Sequence, residues 1–155
     1  MTGTTGTAGA GSALKVACPH CGTANRVRDP SRADAARCGS CRRPLFEGQP
    51  VALDDSNFDA FLAGHDVPVV VDFWAGWCGP CRSMAPHFDR AAAALEPGIR
   101  LAKVDVDAAQ QVAGRFGIRS IPTVIAFRDG REIARQAGAM DGAQLSRWLA
   151  GAGLR

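Results

Sequence analysis

The 155-residue chain is 46% hydrophobic with a formal net charge of +3, which allows one proper core and leaves about 40 to 50 residues for a small appendage. A charge this modest gives no mandate for nucleic acid, a membrane surface or a strongly acidic partner. Asp, Arg or Gly interrupts every hydrophobic run before it reaches the roughly 18 residues of a membrane span, so a soluble protein is expected.

The opening stretch, residues 1 to 13, is Thr, Gly and Ala with one Ser after the initial Met. It lacks the basic start and apolar run of a secretory signal and reads as a disordered tail. Six cysteines follow, all in Cys-x-x-Cys pairs: Cys18 with Cys21, Cys38 with Cys41, and Cys78 with Cys81. A secreted disulfide framework would scatter its cysteines through a small loop-rich chain. The expected location is a reducing compartment, the cytoplasm.

The first two pairs are 16 residues apart, the spacing of a four-thiolate zinc site. Each pair can turn back so that both sulfurs converge on one metal, with Gly22 and Gly39 tolerating the tight, partly left-handed backbone. Residues 14 to 48 are therefore expected to form a zinc-binding, ribbon-like domain with Cys18, Cys21, Cys38 and Cys41 as ligands. Its few apolar candidates are Val16, Val27, Leu45 and Phe46, so metal binding would supply folding free energy. Two local disulfides or four idle thiols are the plain alternative. His20 is left facing solvent, since four sulfurs complete a tetrahedron. Residues 14 to 50 carry seven basic and three acidic side chains; four thiolates and one Zn²⁺ add about −2 and offset part of that excess, which disfavours a nucleic-acid patch.

From Pro50 to Arg155 short β-type runs alternate with helical ones, the pattern of a sheet covered by helices. Val51 to Leu53 is a possible strand. Asp55 or Ser56 can cap a helix holding Phe58, Phe61 and Leu62, ended by Gly64. Val67 to Trp74 is an apolar run suited to a central strand. Cys78 to Leu95 is helical in composition, with Pro86 as a kink. Ile99 to Val106 resumes strand character, and Asp107 to Phe116 suits a short helix. Pro122 to Phe127 and Glu132 to Gln136 flank Asp129-Gly130, a hairpin turn, and a last helix starts at Asp141.

A Cys-x-x-Cys between a buried strand and a helix places Cys78 at the helix N-terminus, where unpaired N–H groups and the dipole favour a thiolate. Cys81 lies one turn later on the same face. Pro80 fits the first helical turn, and Gly79 keeps the approach open. Asp72 is a lone charge inside an apolar strand; a buried carboxylate needs a partner or a task. His65 and His87 read as surface residues.

The segment Val71-Asp72-Phe73-Trp74-Ala75-Gly76-Trp77-Cys78-Gly79-Pro80-Cys81 closely resembles the active-site segment of the thioredoxin family, and Ile121-Pro122-Thr123 and Gly138 fall where that family carries matching features. With the cysteine-rich segment in front, the chain resembles the thioredoxin 2 subclass. The resemblance implies a thioredoxin fold, a central mixed sheet with helices on both faces, over residues 50 to 155. It also implies a protein-disulfide reductase: Cys78 attacks a substrate disulfide, Cys81 resolves the mixed disulfide, and an NADPH-dependent thioredoxin reductase recharges the Cys78–Cys81 pair. By the same resemblance Asp72 takes the proton of Cys81, Lys103 lies near that acid, Pro122 is a cis proline, Ile121 offers backbone groups to substrate, and Trp77 and Gly138 line the same surface. For Asp72 and Lys103 the plain alternative is a structural ion pair, and Trp74 is equally explained as core. Arg82 replaces a lysine common after the second cysteine.

Two other readings remain open at this stage. The basic ribbon could bind RNA, DNA or an acidic protein, although no aromatic platform beyond Phe46 is present. The zinc thiolates could also act as a redox sensor that loses its metal on oxidation.

Overall fold

The structure is a computed structural model and describes residues 13–154; the expected tail before Ala13 lies outside them. The N-terminal part is a two-stranded antiparallel ribbon of β1 (Leu14–Ala17) and β2 (Ala24–Val27). A short 3-10 helix, Pro30–Ala35, follows, begun by Asp29, whose carboxylate accepts the Ser31 N–H. Val16, Val27, Leu45 and Phe46 are all buried here, together with Ala33, Cys18 and Cys38. Two of the seven members of this core are thus cysteines, so its stability depends on what the sulfurs do.

The remaining strands form one five-stranded mixed sheet in the order β3-β5-β4-β6-β7. Parallel pairing joins β3 (Val51–Leu53) and β4 (Val69–Trp74) to β5 (Arg100–Asp105). Antiparallel pairing adds β6 (Thr123–Arg128) and β7 (Arg131–Ala137). Asp129 and Gly130 turn between these two strands with φ of 55° and 76°, the left-handed pair that a two-residue hairpin requires.

Side chains alternate across a strand, and the two faces divide accordingly. Val69, Val71 and Phe73 of β4 pack against Phe58, Phe61 and Leu62 of α1 (Phe58–Ala63) and Val112 of α3 (Gln110–Arg115). Val70 turns the other way, toward Met84, Phe88 and Ala92 of α2 (Gly79–Leu95) and Leu145 and Leu149 of α4 (Gly142–Gly151). The same alternation puts Asp72 on the α2 face and Arg100 on the α1 face. Pro86 lies inside α2, which runs on through it as a single helix. At α4, Asp141 accepts the Gln144 N–H while the Gln144 side chain accepts the Asp141 N–H, a capping box.

Two expectations for local structure are corrected. Helix α1 starts after Asn57, and Asp55 instead accepts the N–H groups of Gln111 and Val112 at 3.3 and 2.9 Å, serving the first turn of α3. Gly64 does follow α1, but at φ −82°, where any residue fits. What requires glycine is space: a Cβ there would lie 2.8 Å from the Cβ of Ala17 in the ribbon.

Candidate functional site

The dithiol sits where β4 hands over to α2. Cys78 is the helix N-cap, and its Sγ accepts the backbone N–H of Cys81 at 3.2 Å, so one of the orphan donors of the first turn points at the sulfur. Cys78 and Cys81 are joined as a disulfide, with Cα atoms 5.2 Å apart. Pro80 occupies the first turn. A Cβ on Gly76 or Gly79 would meet nothing within 4 Å, so the outer side of the loop is open. Arg82 donates to the Gly76 carbonyl at 2.8 Å and ties the loop to the helix.

Behind the disulfide, Asp72 is 4% exposed, and its Oδ1 has no hydrogen-bond partner among the described residues. Burial pushes its carboxyl up to about 7, opposed in part by the Lys103 ammonium. A cavity of about 80 Å³ is lined by Asp72, Trp74, Cys81, Phe88 and Lys103, among others. That volume admits water, so Asp72 and Cys81 share a compartment through which a proton can pass. Lys103 stands opposite Asp72 in the strand register, with its Nζ 5.0 Å from the centre of the Trp74 ring.

In front, the Ile121–Pro122 peptide bond is cis, and the Ile121 carbonyl lies 3.8 Å from the Cys78 sulfur. Gly138, at φ +96°, donates to the Pro122 carbonyl at 2.8 Å. Trp77 is 69% exposed, and its indole N–H donates to Asp107 at 2.9 Å. The indole is therefore exposed and tethered at once, and Asp107 joins the site's residues unforeseen. The structure brings Trp77, Cys78, Gly79, Pro80, Ile121, Pro122 and Gly138 to one end of the sheet, with Asp72 and Lys103 just inside it.

The second cluster consists of Cys18, Cys21, Cys38 and Cys41, whose sulfurs all lie within 4.8 Å of one another. Cys18 and Cys41 Sγ are 3.6 Å apart, and Cys21 and Cys38 Sγ are 3.5 Å apart. A tetrahedron of four sulfurs about 2.3 Å from zinc has edges of about 3.8 Å, so this donor set fits the ion. Backbone N–H groups of His20 and Ser40 point at Cys18 and Cys38 at 3.3 Å each; the Cys41 N–H holds Cys38 down to about 6, while burial pushes the Cys18 thiol up to about 11. The two turns match: the N–H of Gly22 bonds the Cys18 carbonyl and that of Arg42 the Cys38 carbonyl. Here the expectation for Gly39 is corrected. The left-handed positions are Gly22 at φ 80° and Arg42 at φ 71°. His20 is directed at Glu47, 2.8 Å away, and Asn25 donates to Cys38 while accepting the Gly39 N–H.

His65, expected on the surface, is buried at 3% exposure. Its Nδ1 bonds the Phe61 carbonyl at 2.8 Å, and its Nε2 accepts from Arg100 Nε at 3.0 Å, which suits a neutral ring protonated on Nδ1. Burial first, and then the charge of Arg100, pulls its pKa down to about 4. Arg100 itself is 1% exposed. Its Nη2 donates to the carbonyls of Leu45 and Ala17 at 2.7 and 3.3 Å, and Glu96 lies 3.8 Å from Nη1. The signal that found Asp72, a lone charge in an apolar strand, does not mark Arg100, whose strand also carries Lys103 and Asp105.

The Thioredoxin family model matches residues 49–151. Among similar proteins, Thioredoxin C-3 of Corynebacterium nephridii is 39% identical over 134 residues, covering 86% of this chain and 92% of that protein. Its match exceeds the family-model span and so runs back into the ribbon. Thioredoxin 1 of Nostoc sp. is 46% identical over 97 residues, 63% of this chain and 91% of that protein. Thioredoxin of Alicyclobacillus acidocaldarius is 44% identical over 100 residues, 64% and 94% respectively. The chain belongs to the thioredoxin family, whose members are thiol–disulfide oxidoreductases.

Proposed function

We propose that this protein is a disulfide reductase of the thioredoxin 2 subclass, acting in the cytoplasm on disulfide-containing proteins and recharged by an NADPH-dependent thioredoxin reductase. The observation that carries the reading is the dithiol capping α2 with a buried, unpartnered Asp72 behind it in the same cavity.

In the reduced protein the Cys78 thiolate, stabilised by the helix start, attacks one sulfur of a substrate disulfide. The other substrate sulfur leaves as a thiolate and takes a proton. Asp72 then accepts the Cys81 proton through the shared cavity, and the Cys81 thiolate attacks Cys78, releasing the second substrate sulfur. Two electrons pass to the substrate, and Cys78–Cys81 is left as a disulfide. The two substrate thiolates take one proton from solvent, replacing the one Cys78 lost on ionising, and one from Asp72, which had it from Cys81. Lys103 moderates the proton affinity of Asp72. An extended substrate segment lies against the Ile121 backbone as an added strand, bounded by Trp77, Pro122 and Gly138 and admitted by the bare Gly79 beside Pro80.

Residues 14–48 form the metal-binding unit and 50–155 the redox unit. Cys18, Cys21, Cys38 and Cys41 hold one Zn²⁺, which takes no part in catalysis and supplies folding free energy. Insulin-disulfide reduction coupled to thioredoxin reductase and NADPH is the test. The protein should turn over, and Cys78→Ser should abolish turnover; retained activity in that variant overturns the mechanism.

A further inference from the structure

We infer that Arg100 joins the cysteine cluster and the dithiol-bearing sheet into one folding unit, so that metal held by Cys18, Cys21, Cys38 and Cys41 stabilises the sheet that carries Cys78 and Cys81. This rests on the zinc reading above.

Arg100 opens β5, which pairs with both β3 and β4, yet both acceptors of its Nη2 belong to the ribbon. Ala17 immediately precedes Cys18, and Leu45 lies four residues beyond Cys41. One guanidinium from the sheet therefore grips the entrance to the first cysteine turn and the exit from the second. Its plane is covered from the ribbon by Phe46, 4.1 Å from the ring centre, and from α1 by Phe61 at 5.5 Å. Ala17 is itself part of the apolar layer between the sheet and α1, admitted by the bare Gly64. Two more bonds close the seam: Asp66 accepts the Lys15 N–H and donates its own N–H to the Lys15 carbonyl.

The coupling follows from what each part lacks. The ribbon core is seven residues, two of them cysteines, and such a unit folds with its metal or not at all. Without the ribbon, the guanidinium of the sheet keeps a neutral imidazole, the Phe61 ring and a carboxylate 3.8 Å away. When the ribbon comes apart, both Nη2 acceptors and the Phe46 cover go together, and the contacts that fix the Arg100 end of β5 go with them. Metal bound to the folded ribbon is then a ligand of the whole chain's native state.

The experiment compares the full chain loaded with zinc and stripped by a chelator, by thermal unfolding and by amide hydrogen exchange across β4 and β5. Removal of metal should lower the unfolding midpoint of the sheet by about 10 °C and reduce protection at the Val69 and Arg100 end first. In Arg100→Leu, and separately in Gly64→Ala, which displaces Ala17 without touching the charge, the metal-dependent shift should fall to a third or less. Should Arg100→Leu fail to fold, Gly64→Ala and the wild-type exchange pattern decide the matter. Equal midpoints with and without metal, or two separate transitions in the loaded chain, overturn the coupling and leave the zinc reading standing. A chain that binds no zinc by metal analysis overturns both.

Discussion

Asp72 and Lys103 face each other in the parallel register of β4 and β5, yet Asp72 Oδ1 has no hydrogen-bond partner among the described residues and the ammonium lies over the Trp74 ring. Because burial raises Asp72 to about 7, the folded protein binds a proton there that the unfolded chain releases above about 4. The contribution to stability is therefore full below about pH 4 and is lost as pH rises to about 7. Asp72→Asn removes that loss and should stabilise the oxidised protein at pH 8 by roughly 2 to 4 kcal/mol in urea unfolding. The same variant should slow disulfide reduction by on the order of a hundredfold, as expected when a positioned acid–base group is removed.

His65 has the opposite sign. Its folded pKa of about 4 lies below the unfolded value near 6.5, so the unfolded chain binds the extra proton and stability rises with pH from about 4 to about 6.5. Over that window His65 and Asp72 offset each other in the wild type. Denaturant midpoints should rise with pH more steeply in Asp72→Asn than in the wild type, and His65→Gln should shift the dependence toward a fall. Parallel profiles in all three proteins would refute both assignments.

Thiol counting distinguishes the two cysteine sets. Native, reduced, zinc-loaded protein should show two titratable thiols and one zinc per chain, rising to six thiols on denaturation with a chelator. Two thiols still missing after that treatment would mean a disulfide in the ribbon.

Arg42 and Gly22 occupy equivalent left-handed positions in the two cysteine turns, but only glycine does so without a Cβ penalty. Arg42→Gly should therefore stabilise the zinc-loaded ribbon by about 1 kcal/mol, and Gly22→Ala should weaken it by a similar amount. Competition against a chromophoric chelator reads both.

Much of this was legible in the sequence because the signals are local. The cysteine pairs declare themselves by spacing, the strands by apolar runs, the hairpin by Asp129-Gly130, and Asp72 by being the one charge in its strand. The junction was not legible. Arg100 bonds His65 and Leu45 at sequence separations of 35 and 55, and no periodicity encodes a partner that far away. His65 beside Gly64 reads as a surface residue, and Gly64 as a helix stop, because the neighbour that needs the space, Ala17, comes from another sheet. Asp55 misled for the same reason, since the helix it serves is α3.

The ribbon's polar bonds to the rest of the chain run to Asp66, Glu96 and Arg100, at the end of β4 and β5 remote from the disulfide. Among the described residues none reaches Trp77, Ile121 or Gly138. A client protein arriving at Cys78 thus meets the same contour whether or not the ribbon is intact. If stripping the metal lowers turnover, the Michaelis constant should stay level while the maximal velocity falls with the fraction of molecules still folded, the signature of a shrinking pool of competent enzyme and not of a blocked entrance.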